Sequence, residues 1–344
     1  MTARWKVMWT EPRSGREDLI QRLEEAGCEI IVGRPFTDAQ HPFSQEELIE
    51  YVSDLDALMV GSREAFPREV LAAGKRLVTV AKLGIGIERI DVKAATDLGI
   101  LVSNTPIPEN YLAVAEGTLA RILALAKNLK LADRNARLGQ WRSITNVYLK
   151  GKVIGLVGFG RIGRRVAELL RPFEVEVLAY DPLVSPEAAV ELNVELVELD
   201  TLLQRADFVS LHAVVTPQNR DMIGERELAL MKPTAYLINT ARGALVDEQA
   251  LAAALNSERL AGAALDVFEP EPPHPDNSLL SEGLFYRTVF SPHTASATPE
   301  LSQRMPEVMV ENCLAALRGE VPEYTVNPEV IPRWRARLPS GGQA

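Results

Sequence analysis

The stretch KVIGLVGFGRIG, residues 152–163, decides the fold of this chain. Its first half, Lys152–Val157, is rich in apolar and β-branched residues and predicts a buried strand. Three glycines follow in the spacing G-x-G-x-x-G: Gly158, Gly160 and Gly163. A helix is predicted over Ile162–Leu170, directly after them. In such a unit the first glycine permits a tight turn, the second lets backbone approach a pyrophosphate, and the third allows close helix packing. The stretch therefore predicts a dinucleotide-binding unit.

An acidic residue follows the next predicted strand, Val175–Tyr180. This residue, Asp181, stands 18 positions after Gly163, close to the spacing of about 20 typical of a ribose-binding carboxylate. A carboxylate there accepts hydrogen bonds from ribose hydroxyls and repels a 2′-phosphate, which favours NAD over NADP. The alternative interpretation is a glycine-rich turn followed by a surface aspartate. Arg161 is either a phosphate contact or a solvated helix residue, and Ile162 is a further candidate cofactor contact.

Composition limits the class of protein. A chain of 344 residues with 47% apolar content predicts two domains of roughly 100 to 200 residues with a cleft between them. A net charge of −10 argues against nucleic acid, and no apolar run approaches the roughly 20 residues of a membrane span. The amino terminus lacks the apolar core of a secretory signal, and Cys28 and Cys313 lack the spacing of a disulfide framework or zinc site. We expect a cytoplasmic protein without a metal, and two buried thiols.

Short apolar runs alternate with helical patterns along the rest of the chain. The predicted strands before residue 105 are Trp5–Trp9, Glu29–Val32, Ala57–Val60, Leu77–Val80 and Leu101–Ser103. Predicted helices include one long apolar helix over Ala113–Leu138 and a last one over Pro299–Leu317. Such alternation is typical of parallel sheets. The predicted fold class is α/β, with two Rossmann-like, doubly wound parallel-sheet domains.

Polar residues follow three further predicted strands. Leu237–Thr240 leads into Arg242, Ala263–Leu265 into Asp266, and Thr288–Phe290 into His293, while Glu271 lies between prolines. Ligands of open α/β sheets bind beyond the carboxyl ends of the strands, so these side chains are candidate site residues. The expected cofactor contacts at this edge are His212, Ala213, Thr240, Ala241, Asp266 and Ala295. His41 and His274 are expected in exposed loops.

Arg242, Glu271 and His293 together match the needs of one reaction, the reduction of a 2-oxo acid by hydride. Arg242 can bind the carboxylate and polarise the carbonyl. His293 suits the proton donor, because histidine ordinarily titrates near neutrality. Glu271 can orient the imidazole and favour its charged form. Taken singly, each has a structural alternative: an ion-paired arginine, a loop histidine and a solvated glutamate.

The whole chain from about Trp5 to Asn327 resembles the D-isomer-specific 2-hydroxyacid dehydrogenases, a family that includes phosphoglycerate dehydrogenases and glyoxylate or hydroxypyruvate reductases. The resemblance rests on seven blocks: KLGIGIERID (82–91), VSNTP (102–106), GFGRIG (158–163), ADFVSLH (206–212), INTARGALVD (238–247), GAALDVFEPEP (262–272) and SPHTASAT (291–298).

The resemblance implies roles for particular residues. Arg242, Glu271 and His293 correspond to the family's catalytic residues, and Asp266 to the aspartate that contacts the nicotinamide carboxamide. The loop Leu83–Gly86 would bind the substrate carboxylate through its backbone, which makes Lys82, Leu83, Gly84, Ile85 and Gly86 expected substrate-binding residues together with Arg242. The helix Ala113–Leu138 would contribute to a homodimer.

The resemblance also implies a domain division. Residues 1–104 and 296–330 would form a discontinuous, flavodoxin-like substrate-binding domain, residues 105–295 an NAD-binding domain, and residues 331–344 a flexible tail. Three residues depart from the family pattern: Lys82 replaces an arginine, Val214 a proline and Ala295 a glycine. Lys82 either affects which anionic substrate tail the protein binds or is a tolerated surface substitution.

The expected function is that of an NAD-dependent D-2-hydroxyacid dehydrogenase acting on a small 2-oxo or 2-hydroxy carboxylate. One alternative is D-3-phosphoglycerate oxidation without a regulatory domain, with Lys82 and Arg63 as candidate cations for the phosphate. A second, from another class, is an NAD-sensing scaffold similar to the corepressors of the same family. No nucleic-acid or membrane partner is expected.

Overall fold

The computed structural model describes residues 4–12, 15–34 and 42–338. The chain forms two compact units, one made of Met1–Asn110 with Thr298–Ala344 and the other of Tyr111–Ala297. The first unit contains, in chain order, β1 (Trp5–Trp9), α1 (Glu17–Glu25), β2 (Cys28–Val32), α2 (Gln45–Val52), β3 (Ala57–Val60), α3 (Arg68–Ala73), β4 (Thr79–Lys82), α4 (Val92–Asp97) and β5 (Leu101–Ser103).

The chain passes from the first unit to the second within α5 (Pro108–Ala126). The second unit then contains α6 (Leu129–Arg137), β6 (Val153–Val157), α7 (Arg161–Leu170), β7 (Glu176–Tyr180), α8 (Pro186–Val190), β8 (Glu195–Leu196), α9 (Leu199–Arg205), β9 (Phe208–Leu211), α10 (Glu225–Leu230), β10 (Tyr236–Asn239), α11 (Glu248–Asn256), β11 (Gly262–Leu265) and β12 (Thr288–Phe290). The chain returns to the first unit through α12 (Pro299–Leu317) and α13 (Ile331–Arg337).

The five strands of the first unit form a parallel sheet in the order β2-β1-β3-β4-β5. Alternate residues of a strand point to opposite faces, and both faces are covered. Val7 and Trp9 of β1 pack with α1, α12 and α13 on one face, whereas Met8 packs with α2, α3 and α4 on the other. Burial on both faces explains why these strands are nearly continuous apolar runs.

The seven strands of the second unit are also all parallel, in the order β12-β11-β10-β9-β6-β7-β8. Strand β6 pairs with both β7 and β9, so the direction of chain progression reverses at β6. In doubly wound sheets this switch point is where ligands bind, beyond the carboxyl ends of the two strands. The predicted fold class of two doubly wound parallel sheets is confirmed.

Two elements before the carboxy-terminal segment differ by more than one residue from their predicted bounds. The helix predicted over Ala113–Leu138 is instead two helices, α5 and α6. Asn128 interrupts them with a left-handed φ of 46°, which asparagine tolerates better than most residues, and its side-chain amide donates to the carbonyl of Thr145 (3.0 Å). Strand β4 begins two residues later than predicted, at Thr79, and Leu77 packs before it as a core residue.

The carboxy-terminal segment was expected to be a flexible tail from residue 331, and that is wrong for its first part. Helix α13 forms there because Trp334 is fully buried in the core of the first unit. The guanidinium of Arg337 donates to the carbonyls of Leu77 (2.7 Å) and Leu98 (3.0 Å). Burial of a large aromatic side chain, rather than helix propensity, therefore orders this short segment.

Cys28 and Cys313 are buried free thiols, as predicted. None of the helices described is both long and apolar enough to cross a bilayer. Within residues 4–12, 15–34 and 42–338, no three His, Cys, Asp or Glu side chains are grouped to hold a metal ion.

Candidate active site

The glycine-rich turn lies at the carboxyl end of β6, at the switch point of the second sheet. Gly158 has a φ of +98°, and a Cβ there would lie 2.7 Å from the backbone nitrogen of Ala213. A Cβ on Gly163 would lie 2.4 Å from the carbonyl oxygen of Gly158. At Gly160, in contrast, no atom lies within 4 Å of the Cβ position. Two glycines therefore allow close packing, and the middle one leaves open space at the amino end of α7, where a phosphate is stabilised.

Asp181 connects the next strand to this turn. Its Oδ2 atom accepts a hydrogen bond from the backbone nitrogen of Phe159 (2.8 Å), and Oδ1 accepts one from Leu183 (2.9 Å). The carboxylate is thus held against the glycine-rich turn and is not an isolated surface aspartate. Arg161 is exposed in the first turn of α7, and Ile162 is half-buried against the core.

His212 lies on the other side of the switch point, directly after β9. Its backbone nitrogen donates to the carbonyl of Val157 (2.7 Å), and its Nε2 atom lies 3.0 Å from the hydroxyl of Ser210. Burial lowers the pKa of His212 to about 3, so the imidazole is neutral at physiological pH. Its Nδ1 atom is buried with no hydrogen-bond partner among the described residues. Such an atom costs about 1 to 3 kcal/mol unless a ligand pairs with it.

Arg242 follows β10 in a turn that is held by Asn239. The side-chain oxygen of Asn239 accepts from the nitrogen of Ala241 (3.0 Å), and its amide donates to the carbonyl of Arg242 (2.8 Å). A Cβ on Gly243 would lie 2.1 Å from the carbonyl carbon of Phe268. The glycine therefore lets this turn contact the segment that carries Glu271, and the positive charge of Arg242 acts on that carboxylate.

Glu271 and His293 form a hydrogen-bonded pair. The Nδ1 atom of His293 lies 2.8 Å from Oε2 of Glu271, and the backbone nitrogen of Phe268 donates to Oε1 (3.2 Å). Burial tends to raise the pKa of Glu271, but the hydrogen bond and charge of His293, the Phe268 amide and Arg242 together lower it below its usual value. Glu271 is therefore an anion near neutrality. Because Nδ1 is paired, Nε2 of the half-exposed ring is the atom that can meet a substrate.

Asp266, at the end of β11, is buried to 1% exposure. Its Oδ1 atom accepts from Nη2 of Arg121 (2.6 Å), the hydroxyl of Ser291 (2.6 Å) and the nitrogen of Thr294 (2.9 Å). Its Oδ2 atom accepts from the nitrogen of Ala295 (2.8 Å). Four donors thus bind a carboxylate that water barely reaches. Thr240 is also tied to α5, through a 2.8 Å hydrogen bond with Thr118.

The predicted substrate-binding loop, Leu83–Gly86, belongs to the first unit and follows β4. Gly84 has a φ of +100°, and its nitrogen donates to the hydroxyl of Thr105 (2.7 Å). The amide of Asn104 donates to the carbonyl of Ile85 (2.8 Å). The loop is therefore held by the residues that follow β5, although Gly84, Ile85 and Gly86 remain partly exposed.

Lys82 is buried, so the interpretation of this lysine as a tolerated surface substitution is wrong. Its exposure is 4%, and its Nζ atom donates to the hydroxyl of Ser62 (3.1 Å) and to the carbonyl of Leu83. It lies at the end of β4, where its ammonium group supports the start of the predicted loop.

Three predicted site residues therefore lie together at one edge of the second sheet: Arg242 after β10, Glu271 in the segment between β11 and β12, and His293 after β12. His274 is exposed, as expected, and pairs with Asp276, whereas His41 lies outside the described residues. Sequence reasoning missed Arg121. The available signal was a single arginine inside the otherwise apolar stretch TLARILALA of α5.

Comparison with known proteins defines the family. Residues 119–295 match the family model described as "D-isomer specific 2-hydroxyacid dehydrogenase, NAD binding domain". A D-3-phosphoglycerate dehydrogenase from Methanocaldococcus jannaschii is 38% identical over 332 residues, which cover 95% of this chain and 60% of that protein. A glyoxylate reductase from Thermofilum pendens is 42% identical over 313 residues, which cover 88% of this chain and 90% of that protein.

Solved structures agree with the sequence comparisons. A glyoxylate reductase from Paecilomyes thermophila superposes with a TM-score of 0.83 at 28% identity, over 96% of this chain and 99% of that one. This chain belongs to the D-isomer-specific 2-hydroxyacid dehydrogenase family. It spans 60% of the length of the phosphoglycerate dehydrogenase named above.

The family domain indicates NAD(H) as the cofactor, and the residues at the switch point fit it. The space at Gly160 suits a pyrophosphate, and the carboxylate of Asp181 suits a ribose. The unpaired Nδ1 atom of His212 is a buried polar group suited to a polar ligand atom.

Proposed function

We propose that this protein is an NAD-dependent D-2-hydroxyacid dehydrogenase that interconverts a small 2-oxo carboxylate, of the glyoxylate and hydroxypyruvate type, with the corresponding 2-hydroxy acid. The observation that carries the proposal is the hydrogen bond of 2.8 Å between His293 and Glu271, beside Arg242 at the ligand-binding edge of the NAD-binding domain. A paired histidine and an arginine next to a nicotinamide site are the groups that carbonyl reduction requires.

The chemistry divides among these residues. The hydride that reduces C2 of the oxo acid would come from bound NADH. Arg242 binds the substrate carboxylate and carbonyl oxygen with its planar fork of donors and stabilises the negative charge that develops on that oxygen. His293 donates the proton from Nε2 to the same oxygen, which completes the hydroxyl group. Glu271, held anionic, orients the ring through Nδ1 and stabilises the imidazolium form that donates. Oxidation of the hydroxy acid runs through the same groups in reverse.

The remaining predicted residues hold the cofactor. We assign the pyrophosphate to Gly158, Gly160, Arg161, Ile162 and Gly163, and the adenosine ribose to Asp181. His212, Ala213, Thr240 and Ala241 would line the path to the nicotinamide, and Asp266 and Ala295 would contact the nicotinamide end. The exposed backbone at Gly160 and the burial of Asp266 support an orientation in which the pyrophosphate lies at the glycine-rich turn and the nicotinamide lies near Asp266.

The substrate carboxylate is assigned to the backbone of the loop Leu83, Gly84, Ile85 and Gly86. Its donors are the nitrogens of Ile85 and Gly86, because those of Leu83 and Gly84 donate to the carbonyl of Val60 (2.9 Å) and the hydroxyl of Thr105 (2.7 Å). The hydrogen bonds between this loop and the side chains of Thr105 and Asn104 support this assignment because they hold the loop in one conformation. Lys82 would act on substrate binding through this loop, since its ammonium group binds the carbonyl of Leu83.

A small, uncharged substrate tail is favoured over a phosphate. Of the two candidate cations for a phosphate, Arg63 lies 3.6 Å from a carboxylate oxygen of Glu11 and 3.9 Å from one of Glu64. Lys82 is buried, and its ammonium group donates to the carbonyl of Leu83. Both positively charged groups thus bind acceptors within the first unit. We therefore assign glyoxylate-type rather than phosphoglycerate-type substrates.

We further propose a cytoplasmic homodimer. Helix α6 buries none of its residues within the chain, and large apolar side chains on and after it are exposed: Leu129 53%, Leu138 56%, Trp141 93% and Tyr148 69%. A second copy of the chain would cover them. Sedimentation at micromolar concentration should give a dimer for the native chain and a monomer for Trp141→Ser. A native monomer would contradict the proposal.

The test of activity is a spectrophotometric assay of NADH consumption against a panel of 2-oxo acids: glyoxylate, hydroxypyruvate, pyruvate, branched and aromatic oxo acids, and phosphohydroxypyruvate. We expect turnover with glyoxylate or hydroxypyruvate, and a loss of several orders of magnitude in kcat/KM for Arg242→Ala. Exclusive turnover of phosphohydroxypyruvate would refute the substrate assignment. NADH binding without turnover of any acid would favour the scaffold alternative.

A further inference from the structure

An arginine inside the apolar helix α5 reaches the carboxylate at the end of β11. Arg121 is only 9% exposed and lies among apolar neighbours in the helix. Its Nη2 atom is 2.6 Å from Oδ1 of Asp266 and also contacts the hydroxyl of Ser291. Its Nη1 atom donates to the carbonyl of Gly117, one turn earlier (2.8 Å). Burying a long charged side chain is costly unless it is paired. The carboxylate of Asp266 supplies that pairing charge.

The backbone of α5 is shaped to admit this contact. A Cβ on Gly117 would lie 2.6 Å from the carbonyl oxygen of Ala295 and 3.1 Å from Nη1 of Arg121. Any larger residue would therefore push α5 away from the loop that follows β12. Gly117 and Arg121 act together: the glycine brings the helix close, and the arginine spans the remaining distance to Asp266.

Asp266 in turn holds the loop that carries the catalytic histidine. Three successive backbone nitrogens bind it: that of His293 donates to its main-chain carbonyl (2.7 Å), and those of Thr294 and Ala295 donate to its carboxylate (2.9 and 2.8 Å). His293 has a φ of 53°, a left-handed conformation that is uncommon for a residue other than glycine. These hydrogen bonds to Asp266 maintain this conformation and so set where the imidazole points.

The two oxygens of Asp266 are used unequally. Oδ1 accepts from Arg121, Ser291 and Thr294, whereas Oδ2 accepts only from Ala295 among the described residues. A carboxylate oxygen has two lone pairs, so the remaining acceptor capacity lies on Oδ2. Arg121 binds Oδ1, not Oδ2, and supplies the positive charge that compensates for the burial of the carboxylate.

We propose that Arg121 is a positioning residue of the nicotinamide site. It holds the carboxylate of Asp266 in one orientation, so that Oδ2 accepts an N–H of the nicotinamide carboxamide while the Asp266 backbone and carboxylate hold the His293 loop. This inference rests on the proposed function, because it assumes that Asp266 faces the nicotinamide. It goes beyond that function because it makes recognition of the carboxamide depend on a residue of α5 that acts through Asp266.

The decisive probe is a dinucleotide that lacks the donor in question. In 3-acetylpyridine adenine dinucleotide a methyl group replaces the carboxamide NH2, so this analogue cannot donate to Oδ2. Equilibrium binding of NAD and of the analogue, measured by calorimetry without substrate, should show a preference for NAD in the native protein. Arg121→Met should reduce that preference by about tenfold, the usual effect of losing one charge-assisted hydrogen bond.

Two further variants separate positioning from general damage. Arg121→Lys keeps the charge and should restore part of the preference. Arg226→Met removes an exposed, ion-paired arginine of α10 and should leave the preference unchanged. If Arg121→Met fails to fold, Gly117→Ala supplies the test, because its Cβ displaces Ala295 and should lower the preference for NAD while α5 stays intact.

Equal loss of affinity for both dinucleotides in Arg121→Met, with no rescue by lysine, would overturn the proposal. An unchanged preference would also overturn it. Since these measurements use no oxo acid, they remain informative even if the protein turns over none of the proposed substrates. Failure of the proposed activity and failure of the Arg121 proposal are therefore distinguishable.

Discussion

Replacement of Asp181 by asparagine should convert a strong preference for NADH into a weak one. The carboxylate accepts hydrogen bonds from the backbone nitrogens of Phe159 and Leu183, so it lies at the glycine-rich turn where the adenosine ribose is assigned. Asparagine keeps the size of the side chain and one acceptor oxygen but removes the negative charge. The substitution therefore isolates the electrostatic part of the selectivity.

The magnitude follows from Coulomb's law. Two like unit charges about 4 Å apart near a protein surface repel by about 4 kcal/mol, and salt and solvent reduce this to roughly 1 to 3 kcal/mol. Removing that repulsion should raise kcat/KM for NADPH by roughly 10- to 100-fold. With NADH, the loss of a charge-assisted acceptor for the ribose should lower kcat/KM by about fivefold to tenfold.

The assay is steady-state kinetics with NADH and NADPH at a fixed, saturating oxo acid, at low and high ionic strength. Asp200→Asn is a matched control, because Asp200 lies on α9 in an exposed ion pair with Arg226. The control should change neither rate. If the ratio of the two kcat/KM values in Asp181→Asn stays within about threefold of the native ratio, the ribose assignment and the explanation for NAD selectivity are refuted.

Three further predictions concern Glu271, His293 and His212. Glu271→Gln should lower kcat about tenfold, because a neutral amide stabilises the imidazolium less than a carboxylate does; near-native turnover would remove Glu271 from the mechanism. Likewise, His293→Ala should abolish the pH dependence of the residual activity near neutrality, and an unchanged pH profile would place the proton donor elsewhere. The folded pKa of His212, about 3, lies below the unfolded value of about 6.5, so its contribution to stability is present above pH 6.5 and lost as the pH falls. Between pH 7 and pH 5 this loss is about 2 kcal/mol, and urea unfolding of His212→Gln should show a correspondingly smaller decline; an equal decline would contradict the burial of the neutral ring.

Most of the strand and helix positions could be predicted, because parallel strands buried on both faces appear as short apolar runs. β1, β3, β5, β12 and α12 have the predicted bounds. The errors occurred where tertiary contacts outweigh local pattern. The apolar pattern predicted one continuous helix, but Asn128 divides it into two. The last residues were predicted to be a flexible tail, but burial of Trp334 orders the first part of that segment as a helix.

The candidate site could be predicted only in part. Arg242, Glu271 and His293 follow strands or lie between prolines, and the carboxyl ends of neighbouring parallel strands meet at one sheet edge, so sequence order was enough to bring them together. The contacts that hold these residues in place could not be predicted in the same way. Arg121 is far from Asp266 in sequence, and nothing in an apolar helix indicates which strand end its one arginine will meet.

The sequence by itself determined the doubly wound fold, the glycine-rich turn and the identity of the candidate catalytic residues, because each depends on spacing within a short stretch of chain. Only the tertiary structure decided the electrostatic state of the site. The neutrality of His212, the anionic form of Glu271 and the burial of Lys82 all depend on which distant atoms surround each group and how much water reaches it. Those contacts arise from packing between elements, and no local pattern of residues encodes them.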